Sequence, residues 1–546
     1  MSDVDAVNAA LARGDYERAA DVSAAALERG QRHPTLFNAL AFRHSEAGRY
    51  EAALALLRQA VEIDPRDVHV LYSIGFCLFR LGRNEEALVA FDSVLAIRPG
   101  FPAAMHHKGM LLEQKGDEAG AVRCYEMAMR SDPNYEDPYA GLASIAAGRG
   151  DFDRAREYAR RALAIAPLQP TAHLAIARAD FDAGQFEAVE ARLKPLVADA
   201  RLSPLEQPAF QALLGDALDA LDRCEEAFAA WAEGKRLSLE QYADHPIAAT
   251  AGRHLERMAA LKPFAHTLEP FAPALALAPP APGLPRQHAF LVGFPRSGTT
   301  LLEQVLASHD DVVTLGERPL LDPAELEFLV SPASFQRLLD ADDDELDPFR
   351  ERYWRQLEAM GLNIAGTVFI DKLPLGSLLI PLIARLFPTA RVLFVERDPR
   401  DVVLGCFRRA FSMNPGMYQF VTLEGAARFY DQVMALAGQY RRLAPDRVHA
   451  VRYEELVADF EGECRRLCDF VGLDWSPSLN DFARTARLRQ IRTPSAPQIR
   501  KGLYTSAVGQ WRRYERQLAP VLPILAPWVS AFGYERGEGL EAGAPT

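Results

Sequence analysis

AFLVGFPRSGTTLLEQVLASH, residues 289–309, passes from a short apolar run through a polar loop into an amphipathic helix. Ala289–Val292 reads as a buried strand, and Leu301, Leu302, Val305 and Leu306 recur at helical spacing. Between them, Ser297, Gly298, Thr299 and Thr300 stand where the first N–H groups of a helix and neighbouring hydroxyls hold a phosphate. Gly298 lets the backbone approach such an anion closely. The stretch therefore predicts an α/β fold with an anion cradle at a strand–helix turn.

Beyond the cradle, short β-branched or apolar runs alternate with longer helical patterns, which predicts βαβ units and a parallel sheet. The expected strands are His288–Val292, Val312–Leu315, Thr367–Ile370, Arg391–Glu396 and His449–Arg452. Each is followed at once by polar residues: Pro295–Thr300, Glu317, Asp371 with Lys372, Arg397, and Tyr453. Ligands of open parallel sheets bind outside the carboxyl ends of the strands, so five strand ends point to one site. The cradle's spacing is similar to GxxxxGK[ST], but Thr299 occupies the lysine position that serves the β- and γ-phosphates of a nucleoside triphosphate. A P-loop hydrolase or kinase stays open as a second reading, and needs another cation in that place. Asp371 then reads as a structural hydrogen-bonding residue rather than a magnesium ligand, and no metal is expected.

Upstream of the cradle the grammar differs. Glycine recurs every 34 residues at Gly14, Gly48, Gly82, Gly116, Gly150 and Gly184. Five residues after the first five stand Ala19, Ala53, Ala87, Ala121 and Ala155, and Pro65, Pro99, Pro133 and Pro167 keep the same interval. Glycine permits the turn between antiparallel helices, alanine lets them approach closely, and proline ends the second helix. The period resembles the tetratricopeptide repeat over roughly residues 2–238, with a less regular last unit around Gly215, Ala227 and Trp231. It predicts a curved all-α solenoid at 1–240 that binds a protein or peptide. A connecting helix and the Ala/Pro-rich stretch FAHTLEPFAPALALAPPAPGLPR (264–286) make a linker at 241–285, and the α/β domain occupies 286–546.

A chain of 546 residues exceeds one compact core, and its net charge of −13 argues against a general nucleic-acid binder. No stretch is apolar enough to span a bilayer, and the residues after Met1 lack a basic start with a long apolar run. The six cysteines have no metal-type partner set. A cytoplasmic setting is the expectation.

FPRSGTT (294–300) resembles the 5′-phosphosulfate loop of sulfotransferases that use 3′-phosphoadenosine 5′-phosphosulfate (PAPS). The likeness covers roughly 286–535 and extends to VLFVERDPRDVVLGCFRRAF and RYEELVADFEGECRRLCDFVGLDW. It implies that Arg296, Ser297, Gly298, Thr299 and Thr300 hold the 5′-phosphosulfate and that Arg397 holds the 3′-phosphate. The family's serine eight residues after that arginine is here Gly405, with Arg409 one helical turn further on and on the same face. Tyr453 matches the tyrosine that contacts the nucleotide. By resemblance to tyrosylprotein sulfotransferases, Glu317 is the catalytic base, Lys372 and Arg296 offset charge on the leaving group and sulfonate, and Ser495 assists at the bridging oxygen. Arg500 and Lys501 complete the nucleotide contacts. The product left behind is 3′-phosphoadenosine 5′-phosphate (PAP). A protein tyrosine presented by the repeats is the first-choice acceptor, with a glycan, lipid or small-molecule hydroxyl close behind; a repeat scaffold with an inactive nucleotide-binding domain is the third reading.

Overall fold

The computed structural model describes residues 2–243, 245–271, 283–489, 499–500, 502–503 and 507–534. The chain divides into two compact units, Met1–Ala183 and Gly184–Thr546. Among the described residues the first unit holds eleven helices, from Asp3–Leu11 to Pro170–Asp182, and no strand.

The 34-residue period is explained by packing. Ala19, Ala53, Ala87, Ala121 and Ala155 are all fully buried, each at the first turn of a repeat's second helix. A methyl there lets the paired helices close to the short distance that a larger side chain prevents. Gly116 and Gly150 cap the first helices of their units with φ of 95° and 80°, a left-handed turn that reverses the chain. Gly109 and Gly141 flank the Tyr125 ring, and a Cβ on either would come within 2.6 and 2.8 Å of it. Pro65, Pro99, Pro133 and Pro167 each stand two residues past a helix end.

The helix pair Gln207–Ala220 and Cys224–Tyr242 keeps this internal packing, with the Trp231 ring lying over Gly215 where a Cβ would sit 2.4 Å away. The pair falls in the second unit, where Phe228 stacks on Phe407 and Asp216 pairs with Arg409. Of the Ala/Pro-rich stretch 264–286, the first residues complete the helix Pro246–Thr267, and residues 272–282 lie outside the described residues.

The α/β domain is built on five parallel strands: β1 (Gln287–Gly293), β2 (Val312–Gly316), β3 (Val368–Lys372), β4 (Arg391–Glu396) and β5 (Val448–Arg452). Their order is β2-β3-β1-β4-β5. Asp371 and Lys372, expected just past their strand, are instead its last two residues and pair with Leu315 and Gly316 of β2. Leu291, Ile370 and Leu393 are fully buried against Leu302 and Val305 of the helix Thr299–Leu306. The polar strand ends expected from the sequence therefore gather along one edge of the sheet. Among the described residues no helix is long and apolar enough to cross a membrane.

Candidate active site

The loop after β1 turns sharply into the helix Thr299–Leu306. Arg296 has φ of 72° and Gly298 has φ of 114°, the second serving as N-cap of that helix. A Cβ at position 298 would lie 2.6 Å from the Tyr453 ring, so glycine is the residue that lets Tyr453 pack on the loop. Ser297, Thr299 and Thr300 are buried beneath it. The Ser297 hydroxyl has no hydrogen-bond partner among the described residues. A buried hydroxyl left so costs about 1–3 kcal/mol, a deficit that an anion seated in the turn removes.

Beside the loop an open cleft is walled by Arg296, Arg397, Arg408, Gly405 and Tyr453, with Leu301 and Leu404 supplying apolar surface. Arg397 stands where the sequence put it, directly after β4. Its Nη1 donates to the Arg296 carbonyl at 3.1 Å and its Nη2 to the Ala507 carbonyl at 2.5 Å, while the guanidinium lies 4.7 Å over the Tyr453 ring. Asp401 is the acid of this wall, 3.8 Å from Arg397. It accepts from the Gly509 and Trp511 N–H groups at 2.7 and 2.8 Å, which ties the C-terminal segment to the cleft. Burial pushes the Asp401 carboxyl up. Burial, with Arg409 and Arg408 nearby, pushes Arg296 down to about 9. The wall thus holds more positive charge than its carboxylates offset.

Position 405 is tight rather than open, since a Cβ there would meet the Arg296 Cβ at 3.3 Å. The helical placement expected for Arg409 is not kept. The helix Pro399–Phe407 ends before it, so the one-turn spacing from Gly405 is lost, and Arg409 pairs with Asp216 instead. Arg408, which the sequence reading passed over, takes the cleft wall.

At the neighbouring strand ends a second cluster forms. Gly316 and Lys372 are paired across β2 and β3, and Glu317, at φ of 43°, donates its N–H to the Lys372 carbonyl at 2.7 Å. The Lys372 ammonium, 1% exposed, lies 2.6 Å from Glu317 Oε1 and 3.3 Å from Glu303 Oε2. Glu303 also accepts from the Thr314 hydroxyl at 3.2 Å. The Glu317 side chain is 45% exposed, so of the two carboxylates it is the one open to solvent. Glu303 went unremarked in the sequence, though an acid amid Leu301, Leu302, Val305 and Leu306 was its signal. Asp371 alternates to the opposite face of β3. There it accepts from the Tyr353 hydroxyl at 2.8 Å, and burial raises its carboxyl to about 7.

Ser495 and Lys501 lie outside the described residues. Arg500 is described: its carbonyl accepts from Arg487 Nε at 3.0 Å, and its neighbours Ile499 and Gly502 line the cleft.

Residues 289–477 match the sulfotransferase family, and residues 44–105, 106–170 and 146–217 match tetratricopeptide repeats. An uncharacterized protein of Aquifex aeolicus (strain VF5) is 31% identical over 268 residues, 47% of this chain and 35% of that protein. A protein-tyrosine sulfotransferase of Drosophila melanogaster is 24% identical over 259 residues, 45% of this chain and 51% of that protein. Protein-tyrosine sulfotransferase 1 of Danio rerio is 23% identical over 259 residues, 45% of this chain and 72% of that protein. The match thus spans about a third of the Aquifex protein and half of the Drosophila one.

Proposed function

Since this chain carries a sulfotransferase-family domain behind tetratricopeptide repeats, we propose that it moves a sulfuryl group from PAPS to an acceptor hydroxyl, with a protein tyrosine as acceptor. The observation that carries the reading is a cradle with an orphaned buried hydroxyl, facing a wall richer in arginine than in acid, beside an exposed carboxylate bound to a buried lysine. A bisphosphate nucleotide with a transferable sulfonate meets each of these needs.

In this reading Ser297, Thr299, Thr300 and the first N–H groups of the helix Thr299–Leu306 hold the 5′-phosphosulfate, while Arg397 and Arg408 face the 3′-phosphate. The acceptor oxygen attacks sulfur, the bond from sulfur to the bridging phosphate oxygen breaks, and PAP leaves. Glu317 takes the acceptor's proton. Lys372, released from Glu317 as that carboxylate is protonated, faces the charge growing on the bridging oxygen, and Arg296 faces the sulfonate. Sulfuryl transfer, like phosphoryl transfer, rests on positioning and electrostatics, and these side chains supply both. The tyrosine acceptor is supported by the relatives named for that activity, and the repeats give a surface for the protein that bears it. With Thr299 in place of a P-loop lysine, ATP hydrolysis lacks its phosphate cation.

Thermal unfolding with PAP, against ATP and magnesium, tests the donor. PAP at about 100 times its dissociation constant adds about 2.7 kcal/mol of stability, and Arg397→Ala removes most of it. Glu317→Ala keeps the PAP response and loses transfer of labelled sulfonate from PAPS to a tyrosine peptide by about 100-fold or more. Stabilisation by ATP with magnesium alone would replace the reading with a nucleotide hydrolase.

A further inference from the structure

The donor wall does not end with the α/β domain. Behind Arg408 and Arg409 stands the helix Gln207–Ala220, whose Asp216 pairs with Arg409 and whose Asp219 lies 3.5 Å from Arg408. Asp219 also accepts from Arg513 at 2.5 Å and from the Tyr514 hydroxyl at 2.6 Å. The partner helix Cys224–Tyr242 closes the joint: Phe228 stacks on Phe407 at 5.3 Å, and Lys235 donates to the Arg409 carbonyl at 2.7 Å. The contacted residues Phe407, Arg408 and Arg409 lie at and just past the C-terminal end of the helix Pro399–Phe407, the helix that lines the cleft through Leu404 and Gly405.

Four arginines, 296, 397, 408 and 409, are crowded here, and the neighbouring positive charges help to push Arg296 and Arg408 down. Among the described residues that line the cleft, Asp401 is the one acid that answers them. The remaining negative charge comes from Asp216 and Asp219, which are 8% and 15% exposed and belong to a helix pair built like a repeat.

We propose that Asp216 and Asp219 are positioning residues of the donor site: acting through Arg409 and Arg408, they hold the wall together and set how strongly it draws a second phosphate. The helix pair is thereby part of the nucleotide pocket, not a spacer before it. The proposal rests on the donor reading above. Two opposed consequences follow for neutralising either carboxylate. The empty protein loses an ion pair that offset crowded arginines, so it melts lower. The same loss raises the positive potential at the phosphate, so PAP binds more tightly. A carboxylate with a purely structural role gives the first effect without the second.

Calorimetric titration with PAP and with adenosine 5′-phosphate separates these cases in wild type, Asp216→Asn, Asp219→Asn and Asp216→Glu. Both Asn variants should melt lower without ligand and bind PAP about fivefold more tightly, as expected for one charge removed near a dianion through a screened medium. Affinity for adenosine 5′-phosphate, which lacks the 3′-phosphate, should move less, and Asp216→Glu should behave as wild type. Asp222→Asn is the control, because Asp222 meets Arg513 from an exposed position. Should Asp216→Asn fail to fold, the more exposed Asp219 carries the same test. Unchanged or weaker PAP binding in Asp219→Asn, with wild type binding PAP, overturns the inference and leaves the donor reading standing. A wild-type protein that ignores PAP overturns both.

Discussion

In the reading proposed above, the arginine-walled donor cleft and the acceptor cluster at the neighbouring strand ends have opposite electrostatic balances. On the donor side Arg296, Arg397 and Arg408 crowd together with Asp401 as the acid on the wall. On the acceptor side a single ammonium, Lys372, is wedged between Glu303 and Glu317. The first is short of negative charge and draws an anion to complete it. The second satisfies itself, with one carboxylate to spare. On the proposed function, affinity and chemistry are separated in space: the arginine-rich wall binds the donor, and the cluster with one exposed carboxylate exchanges the proton.

That separation breaks most severely at Lys372. Lys372→Ala should lower transfer by about 100- to 1000-fold while PAP binding changes little. It should also cost about 3–5 kcal/mol in urea unfolding, because Glu303 stays buried without its cation. Adding Glu303→Gln should restore stability but not turnover. Recovery of both would show that Lys372 serves the fold alone.

A smaller effect sharpens the comparison from behind the acceptor side. Burial raises Asp371 from 3.8 to about 7, so the folded chain keeps a proton that the unfolded chain gives up. The stability tied to that proton is complete below about pH 4 and fades as pH rises through about 7. Asp371→Asn, which cannot ionise, should therefore gain on wild type between pH 5 and 8, on the order of 2 kcal/mol in denaturant titrations. An equal difference at both pH values would mean that Asp371 does not titrate in the fold.

Smallest is the change expected at position 405. Gly405→Ser adds a hydroxyl to the donor wall, but its Cβ meets the Arg296 Cβ at 3.3 Å. The arginine must give way by a few tenths of an ångström, so gain and strain oppose each other. PAP affinity should change by less than about threefold, roughly half a kcal/mol. A tenfold gain would show that the wall lacks a hydroxyl more than it needs Arg296 in place.

The strands were legible because their signal is local. Each is a short apolar run that ends on a polar residue, and β4 spans Arg391–Glu396 as expected. The loop at 294–300, Glu317, Lys372, Arg397 and Tyr453 were placed at strand ends for the same reason: parallel strands deliver their ends to one edge. Arg409 was misplaced because its helix stops at Phe407, and one-turn arithmetic fails past a helix end. Glu303 was missed because a lone acid in a helix looks like solvent-facing polarity until Lys372 is brought to it from another strand. Ser495 and Lys501, named from sequence, fall outside the described residues.

Periodicity alone determined that the N-terminal part of this chain is an array of paired helices, since a glycine turn and a buried alanine every 34 residues constrain only near neighbours. The strand–loop–helix turn at 287–306 was likewise legible from contiguous residues. What only the tertiary structure decided is which charges face one another. Asp219 reaches Arg513 across 294 residues and Lys372 reaches Glu317 across 55. Ion pairs are set by proximity in space, and no local pattern in the chain records which distant residues folding will bring within a few ångströms.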